Sequence, residues 1–195
     1  MSLDIKCYPK GMYGENTYLI TDEATGFKAV IDPGYYDFEI RMDIQNNAHL
    51  KYLLLTHGHH DHFYAVNDYL EEYSSVVFAG PEGDLALMTK QGCPEPKKLL
   101  RDGDVITLGE TELRVIATPG HTAGGICFAT DREIFTGDTL FRLSVGRTDL
   151  ETGDWDTLVE SISTVLYPLD EDLIVYPGHG DPTSIGYEKK ANPFV

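Results

Sequence analysis

The sequence predicts an α/β chain in which sheets and helices stack in layers, and two observations carry the prediction. Short β-type runs recur throughout, each bounded by Gly, Pro or Asp, and helical patterns lie among them without the strict alternation of a doubly wound sheet. No linker, repeat or low-complexity tract interrupts the chain, so a single domain over residues 1–195 is expected.

The expected strands are, in order, TYLI (17–20), KAVID (28–32), YLLLT (52–56), SVVFA (75–79), LRVIAT (113–118), GICFAT (125–130), EIFTG (133–137) and LIVYPG (173–178). Each is rich in β-branched, aromatic or other apolar residues over strand length. Val66, Tyr69, Leu70 and Tyr73 recur at helical spacing and predict one amphipathic helix. A second is predicted by Leu158, Val159, Ile162, Val165 and Leu166, stopped by Pro168 and opened by a capping box from Thr157 to Glu160.

Composition narrows the function. With 42% hydrophobic and 24% charged residues the chain can bury a substantial core. Its 32 acidic against 15 basic residues, a formal charge of −17, disfavour nucleic acid, because phosphate binding needs clustered Lys and Arg. No apolar run of signal-peptide or membrane-spanning length is present, so neither secretion nor a membrane is expected. Cys7, Cys93 and Cys127 form neither a disulfide framework nor zinc-binding pairs, which fits a cytoplasmic protein with reduced thiols.

Polar clusters fall where predicted strands end. YLLLT runs into HGHHDH, LRVIAT into PGHTAGG, EIFT into GD and LIVYP into GHG, so four loops are expected to share one rim. The stretch THGHHDH (56–62) is the densest of these. His-rich tracts can bind metal adventitiously. Here, however, His57 and His59 sit two apart after a strand, which places both on one side, while Asp61 and His62 follow as the chain turns into a helix. His60 falls out of the alternation and is expected to point away. Two divalent ions need more donors than this stretch contains, and adjacent ions are best held by a shared carboxylate. His49 reads as free. His121 and His179 sit in near-identical PGHT and PGHG loops, and Asp138 in FTGDT has the same setting.

At this point the residues resemble a family. THGHHDH matches the H-x-H-x-D-H signature of the metallo-β-lactamase fold, and His121, Asp138 and His179 match its remaining motifs in order over nearly the whole chain. The resemblance implies a four-layered αβ/βα sandwich with two divalent ions, zinc first, iron or manganese otherwise. It implies that His57, His59 and His121 hold one metal and Asp61, His62 and His179 the other, with Asp138 bridging them. Asp32, ending KAVID, matches an acidic residue that supports the histidine loop from behind the ligands. Asp138 stands where lactamases of the fold carry cysteine, which turns the expectation away from β-lactams. Ribonuclease-like members keep the aspartate, but the charge of −17 disfavours them.

GDTLFRLSVGRTDL and the stretch LYPLDEDLIVYPGHGDPTSIGYEKKANPF are similar to small single-domain relatives of glyoxalase II, hydroxyacylglutathione hydrolase. That resemblance implies cleavage of S-lactoylglutathione or a related acyl thioester by a metal-bridging hydroxide, with Asp61 as a base or orienting group. A thiolate, with a pKa near 8.5, departs without a dedicated general acid. Full-length glyoxalase II carries a C-terminal helical domain that builds much of its glutathione pocket, and none is expected here. Arg142, Arg147, Tyr187, Lys189 and Lys190 are therefore candidates for contacting a substrate carboxylate. A homo-oligomer that completes the pocket stays open. The alternative reading is an iron persulfide dioxygenase of the same fold, with one iron on His57, His121 and Asp138. A lactonase, a phosphodiesterase and a non-catalytic metal-binding domain rank below it.

Overall fold

The computed structural model describes residues 2–11, 13–44 and 49–195. The first sheet contains β1 (Leu3–Pro9), β2 (Asn16–Asp22), β3 (Lys28–Ile31), β4 (Leu50–Leu54), β5 (Val77–Pro81) and β6 (Lys98–Leu100) in sequential order. β1 to β3 pair antiparallel, and β3 to β6 pair parallel. Crossovers between parallel strands carry α1 (Phe38–Ile44), α2 (His60–Phe63), α3 (Val66–Glu72) and α4 (Leu85–Lys90).

The second sheet has the order β14 (Thr183–Ser184), β13 (Ile174–Pro177), β10 (Glu133–Gly137), β9 (Ile126–Ala129), β8 (Thr111–Ala117) and β7 (Val105–Leu108). β11 (Leu140–Phe141) and β12 (Ser144–Val145) form a separate hairpin. α5 (Trp155–Glu160) runs on into a π-helical segment (Ser161–Leu166), and α6 (Ile185–Ala191) follows β14.

Strand periodicity assembles these elements into four layers. Neighbouring residues on a strand face opposite ways. Ile31, Leu54 and Ala79 meet Leu113, Phe128 and Phe135 between the sheets. Val30, Leu53 and Phe78 meet Ile40, Val66 and Tyr69 of the first helical layer. Cys127, Ile134 and Val175 meet Leu158, Ile162, Leu166 and Ile185 of the second. Because parallel strands buried on both faces read as continuous apolar runs, YLLLT and SVVFA were visible in the sequence. Truncating one such core Leu or Ile to Ala costs about 2–5 kcal/mol. Among the described residues no helix is long and apolar enough to cross a membrane.

The capping box expected at Thr157 to Glu160 is corrected. The cap is Asp154, in extended conformation, whose carboxylate accepts from the Thr157 amide at 2.8 Å, so the helix starts before Thr157. A short polar side chain immediately before the first turn satisfies the free amides better than a threonine already inside it. The Asp154 amide also donates to the Gly120 carbonyl at 2.8 Å, tying α5 to the loop before His121.

Candidate metal centre

The site lies on the rim where β3, β4, β8, β10 and β13 end, and each loop arrives already braced. β3 delivers Asp32, buried and held at a φ of 50°, a left-handed conformation that aspartate tolerates better than most residues. Its carboxylate accepts from the Thr56 amide and the Thr56 hydroxyl, both at 2.8 Å, and lies 3.0 Å from His62 Nδ1. The Thr56 hydroxyl, having donated to Asp32, is free to accept from His57 Nδ1 at 3.0 Å. His121 Nδ1 lies 2.6 Å from the Arg147 carbonyl and donates to it. Three imidazoles thus donate from Nδ1, which leaves each Nε2 facing the cluster.

Three buried atoms there find no hydrogen-bond partner: His57 Nε2, His62 Nε2 and Asp138 Oδ1. His59 Nδ1 lies 2.9 Å from His121 Nε2. Unpaired buried acceptors are costly, and a cation is what satisfies several at once. The donors fall into two groups, His57 with His59 and His121, and Asp61 with His62 and His179, each with ligand atoms within 4.8 Å of one another. Asp138 reaches both, with 3.4 Å to His121 Nε2, 3.4 Å to His62 Nε2 and 3.5 Å to His179 Nε2. This donor set of imidazole and carboxylate fits two divalent ions. A further grouping of Asp32 with His57 and His62 is excluded as a binding site, because both Asp32 oxygens are already engaged.

Gly178 shows how tightly the loops converge. A Cβ on it would meet Asp138 Oδ1 at 2.2 Å and His62 Cε1 at 2.8 Å, so only glycine lets the His179 loop close on the site. On the far side the loop is pinned by Asn16, whose side-chain amide donates to the Pro177 and Gly180 carbonyls, both at 2.9 Å.

Charge is divided across the metal-free cluster. Burial, then the surrounding imidazoles, push His57 well below the ordinary histidine range and bring His59 down to about 4. Burial opposes a charge on His62 too, but Asp138, Asp32 and Asp61 together lift it to about 10. Burial pushes Asp61 up, yet His179 and His62 outweigh it and hold the carboxyl down at about 2. His179 is raised against burial by Asp61 and Asp138.

The other expected residues are distributed unevenly. His60 is exposed, its ring 5.3 Å from those of Phe63 and Tyr64. Arg142 lies at the tip of the β11–β12 hairpin and pairs with Asp181, two residues past His179, at 3.5 Å. The Arg147 guanidinium is engaged bidentately by Asp149 at 2.6 and 2.7 Å, and it is the backbone carbonyl of Arg147 that reaches His121. Lys189 and Lys190 pair with Glu171 at 3.2 and 2.9 Å, and Tyr187 is exposed on α6.

Asp84 is one of the residues that escaped the sequence reading. Buried Asp84, in the turn after β5, accepts from the Gly58 amide at 2.8 Å and the Gly124 amide at 2.7 Å, bracing the His57–His59 and His121 loops against each other. Nothing in GPEGDL marks it, since its partners are backbone amides 26 and 40 residues away.

Comparison with known proteins agrees with this geometry. The model of the metallo-beta-lactamase superfamily matches residues 11–179. Hydroxyacylglutathione hydrolase GloC of Haemophilus influenzae is 35% identical over 209 residues, 99% of this chain and 98% of its own. Among solved structures, ETHE1 from Myxococcus xanthus superimposes with a TM-score of 0.82 at 32% identity over 99% of this chain and 84% of its own. The B3 metallo-beta-lactamase BLEG-1 does so with a TM-score of 0.86 at 30% identity over 98% and 99%. With the four-layered fold, the converging His and Asp loops and these matches together, the chain belongs to the metallo-beta-lactamase superfamily.

Proposed function

We propose that this chain is a binuclear metallohydrolase of the hydroxyacylglutathione hydrolase type, which cleaves S-lactoylglutathione or a related acyl thioester. The observation that carries the reading is Asp138 lying within 3.5 Å of imidazoles from both donor groups, as a carboxylate shared by two ions must. His57, His59 and His121 would hold one ion and Asp61, His62 and His179 the other. Divalent ions bound there would supply a water of lowered pKa and polarise the thioester carbonyl.

The protein's own groups do the rest. Asp61, held ionised far below neutral pH, accepts a hydrogen bond from the attacking water and orients it. Asp32 and the Arg147 carbonyl fix the ring orientations of His62 and His121, so the donors need not reorganise during the reaction. The water, its proton passed to solvent, adds through oxygen to the carbonyl carbon, and the C–S bond then breaks to release the carboxylic acid and an unassisted thiolate. Arg142, at the rim beside the His179 loop, is the cation placed to meet a substrate carboxylate. GloC, which bears the name of this activity, matches over 98% of its own length, which supports a pocket built within a domain of this size. Three free thiols and a charge of −17 favour a reducing compartment and a small-molecule substrate over nucleic acid.

One rival is the iron persulfide dioxygenase reading of the same fold. That reading uses His57, His121 and Asp138 alone and leaves His59, Asp61, His62 and His179 without a task. An oxygen electrode separates the two. The hydrolase reading expects no oxygen uptake on glutathione persulfide and release of a titratable thiol from S-lactoylglutathione, and the opposite pair of results contradicts it.

A further inference from the structure

The β11–β12 hairpin touches the metal cluster at three points. It starts two residues after Asp138, and the Phe141 ring stands edge-on to His179 with centroids 6.0 Å apart. At its far end Gly146 packs so closely that a Cβ would lie 1.8 Å from the Asp138 carbonyl oxygen and 3.2 Å from His121 Cβ, and the next residue supplies the carbonyl that holds His121 Nδ1. The tip is unfavourable by itself. Leu143 has a φ of 55° in a two-residue turn, where glycine or asparagine is the ordinary choice.

What holds this tip comes from elsewhere in the chain. Glu188, on α6 and fully buried, accepts from the Leu143 amide at 2.8 Å, the Thr183 hydroxyl at 2.6 Å and the Asn192 side-chain amide at 3.0 Å. The same Asn192 amide donates to the Ser144 carbonyl at 3.1 Å, and Asn192 Oδ1 accepts from Phe194. Amide and carbonyl of adjacent tip residues are therefore both fixed by one side-chain pair at helical spacing. A buried carboxylate with three donors and, among the described residues, no cationic partner is expensive to assemble, and its location at a strained turn points to a positional task.

We propose that Glu188 and Asn192 are positioning residues, which clamp the β11–β12 hairpin and through it set the placement of Asp138, His121 and His179. This rests on the metal-centre reading but not on the thioester. The clamp needs acceptors at Glu188, not charge. A glutamine there can accept from Leu143 and Asn192 through Oε1 and donate to Thr183, whose hydroxyl rotates to accept.

The test compares Glu188→Ala, Asn192→Ala and Glu188→Gln with the metal-loaded parent protein by chelator competition for zinc and by amide hydrogen exchange over residues 138–147. The alanine variants are expected to lose zinc to the chelator at about tenfold lower chelator concentration and to exchange faster throughout the hairpin, with Glu188→Gln matching the parent. Should Glu188→Ala not fold, Asn192→Ala, which removes the Ser144 and Glu188 contacts of the side-chain amide and the Phe194 contact of Oδ1, decides alone. Folded alanine variants that hold zinc as the parent does overturn the proposal, as does a glutamine variant that fails like alanine. Alanine variants that show the expected metal and exchange changes, beside a parent protein that hydrolyses no thioester, leave the clamp standing and remove the substrate assignment.

Discussion

His59 Nδ1 and His121 Nε2 face each other at 2.9 Å inside a cluster where burial and neighbouring imidazoles keep His57 and His59 neutral. At most one proton can lie between the two nitrogens, and His57 Nε2 and Asp138 Oδ1 find no hydrogen-bond partner among the described residues. Metal should therefore stabilise the fold strongly. At free zinc a thousand times its Kd the gain is about 4 kcal/mol. Thermal melts before and after exhaustive chelation are expected to differ by several degrees, reversibly on adding zinc back, and an unchanged melt contradicts the cation site.

Uptake of metal should release protons. His62 is lifted to about 10, so at neutral pH the metal-free form carries a proton that ligation through Nε2 must expel. The sign follows directly: below pH 10 the proton competes with the metal, so affinity rises with pH across the neutral range. Calorimetry of zinc binding in buffers of different ionisation enthalpy should report net proton release, and proton uptake would refute the assignment.

Asp32 tests the bracing behind the ligands. Asp32→Asn keeps the shape and tolerates the φ of 50°, but it offers one acceptor where Thr56 and His62 require two oxygens. Zinc affinity is expected to fall about 10- to 100-fold, read by chelator competition. Unaltered affinity would mean that His62 does not depend on Asp32 for its orientation.

Asp84→Ala is expected to destabilise by about 2–4 kcal/mol in chemical denaturation, because two buried amides lose their acceptor at once. His60→Ala, by contrast, should change stability by less than about 0.5 kcal/mol and leave metal content unchanged, since the side chain is exposed. A loss of metal in the His60 variant would overturn the alternation argument that set it aside.

How much was legible in the sequence depends on where the information lay. Strands buried on both faces, such as β4 and β5, announced themselves as apolar runs. Polar loops after strands located the donors, because His57, His59, His121 and His179 each follow a strand end. α6 did not show, since only Ile185, Gly186 and Glu188 are buried and no apolar stripe forms. β1 has alternating burial over part of its length but sits at a sheet edge with Cys7 exposed, and the β11–β12 strands span two residues each. Roles that depend on backbone groups were invisible: Asp84 and Glu188 accept from backbone amides, and Arg147 holds His121 through its own carbonyl, so in each contact one group carries no residue identity. Lys189 and Lys190 pair with Glu171, 18 and 19 residues away, a partner that spacing does not show.

The central claim is that Asp138 joins two donor groups into one hydrolytic site. Elemental analysis and S-lactoylglutathione hydrolysis on the same preparation, for the parent protein and Asp138→Ala, test it most directly. The account predicts two divalent ions per chain and thiol release in the parent, with both lost in the variant. One iron per chain with no thioester turnover, or unchanged turnover in Asp138→Ala, would contradict it.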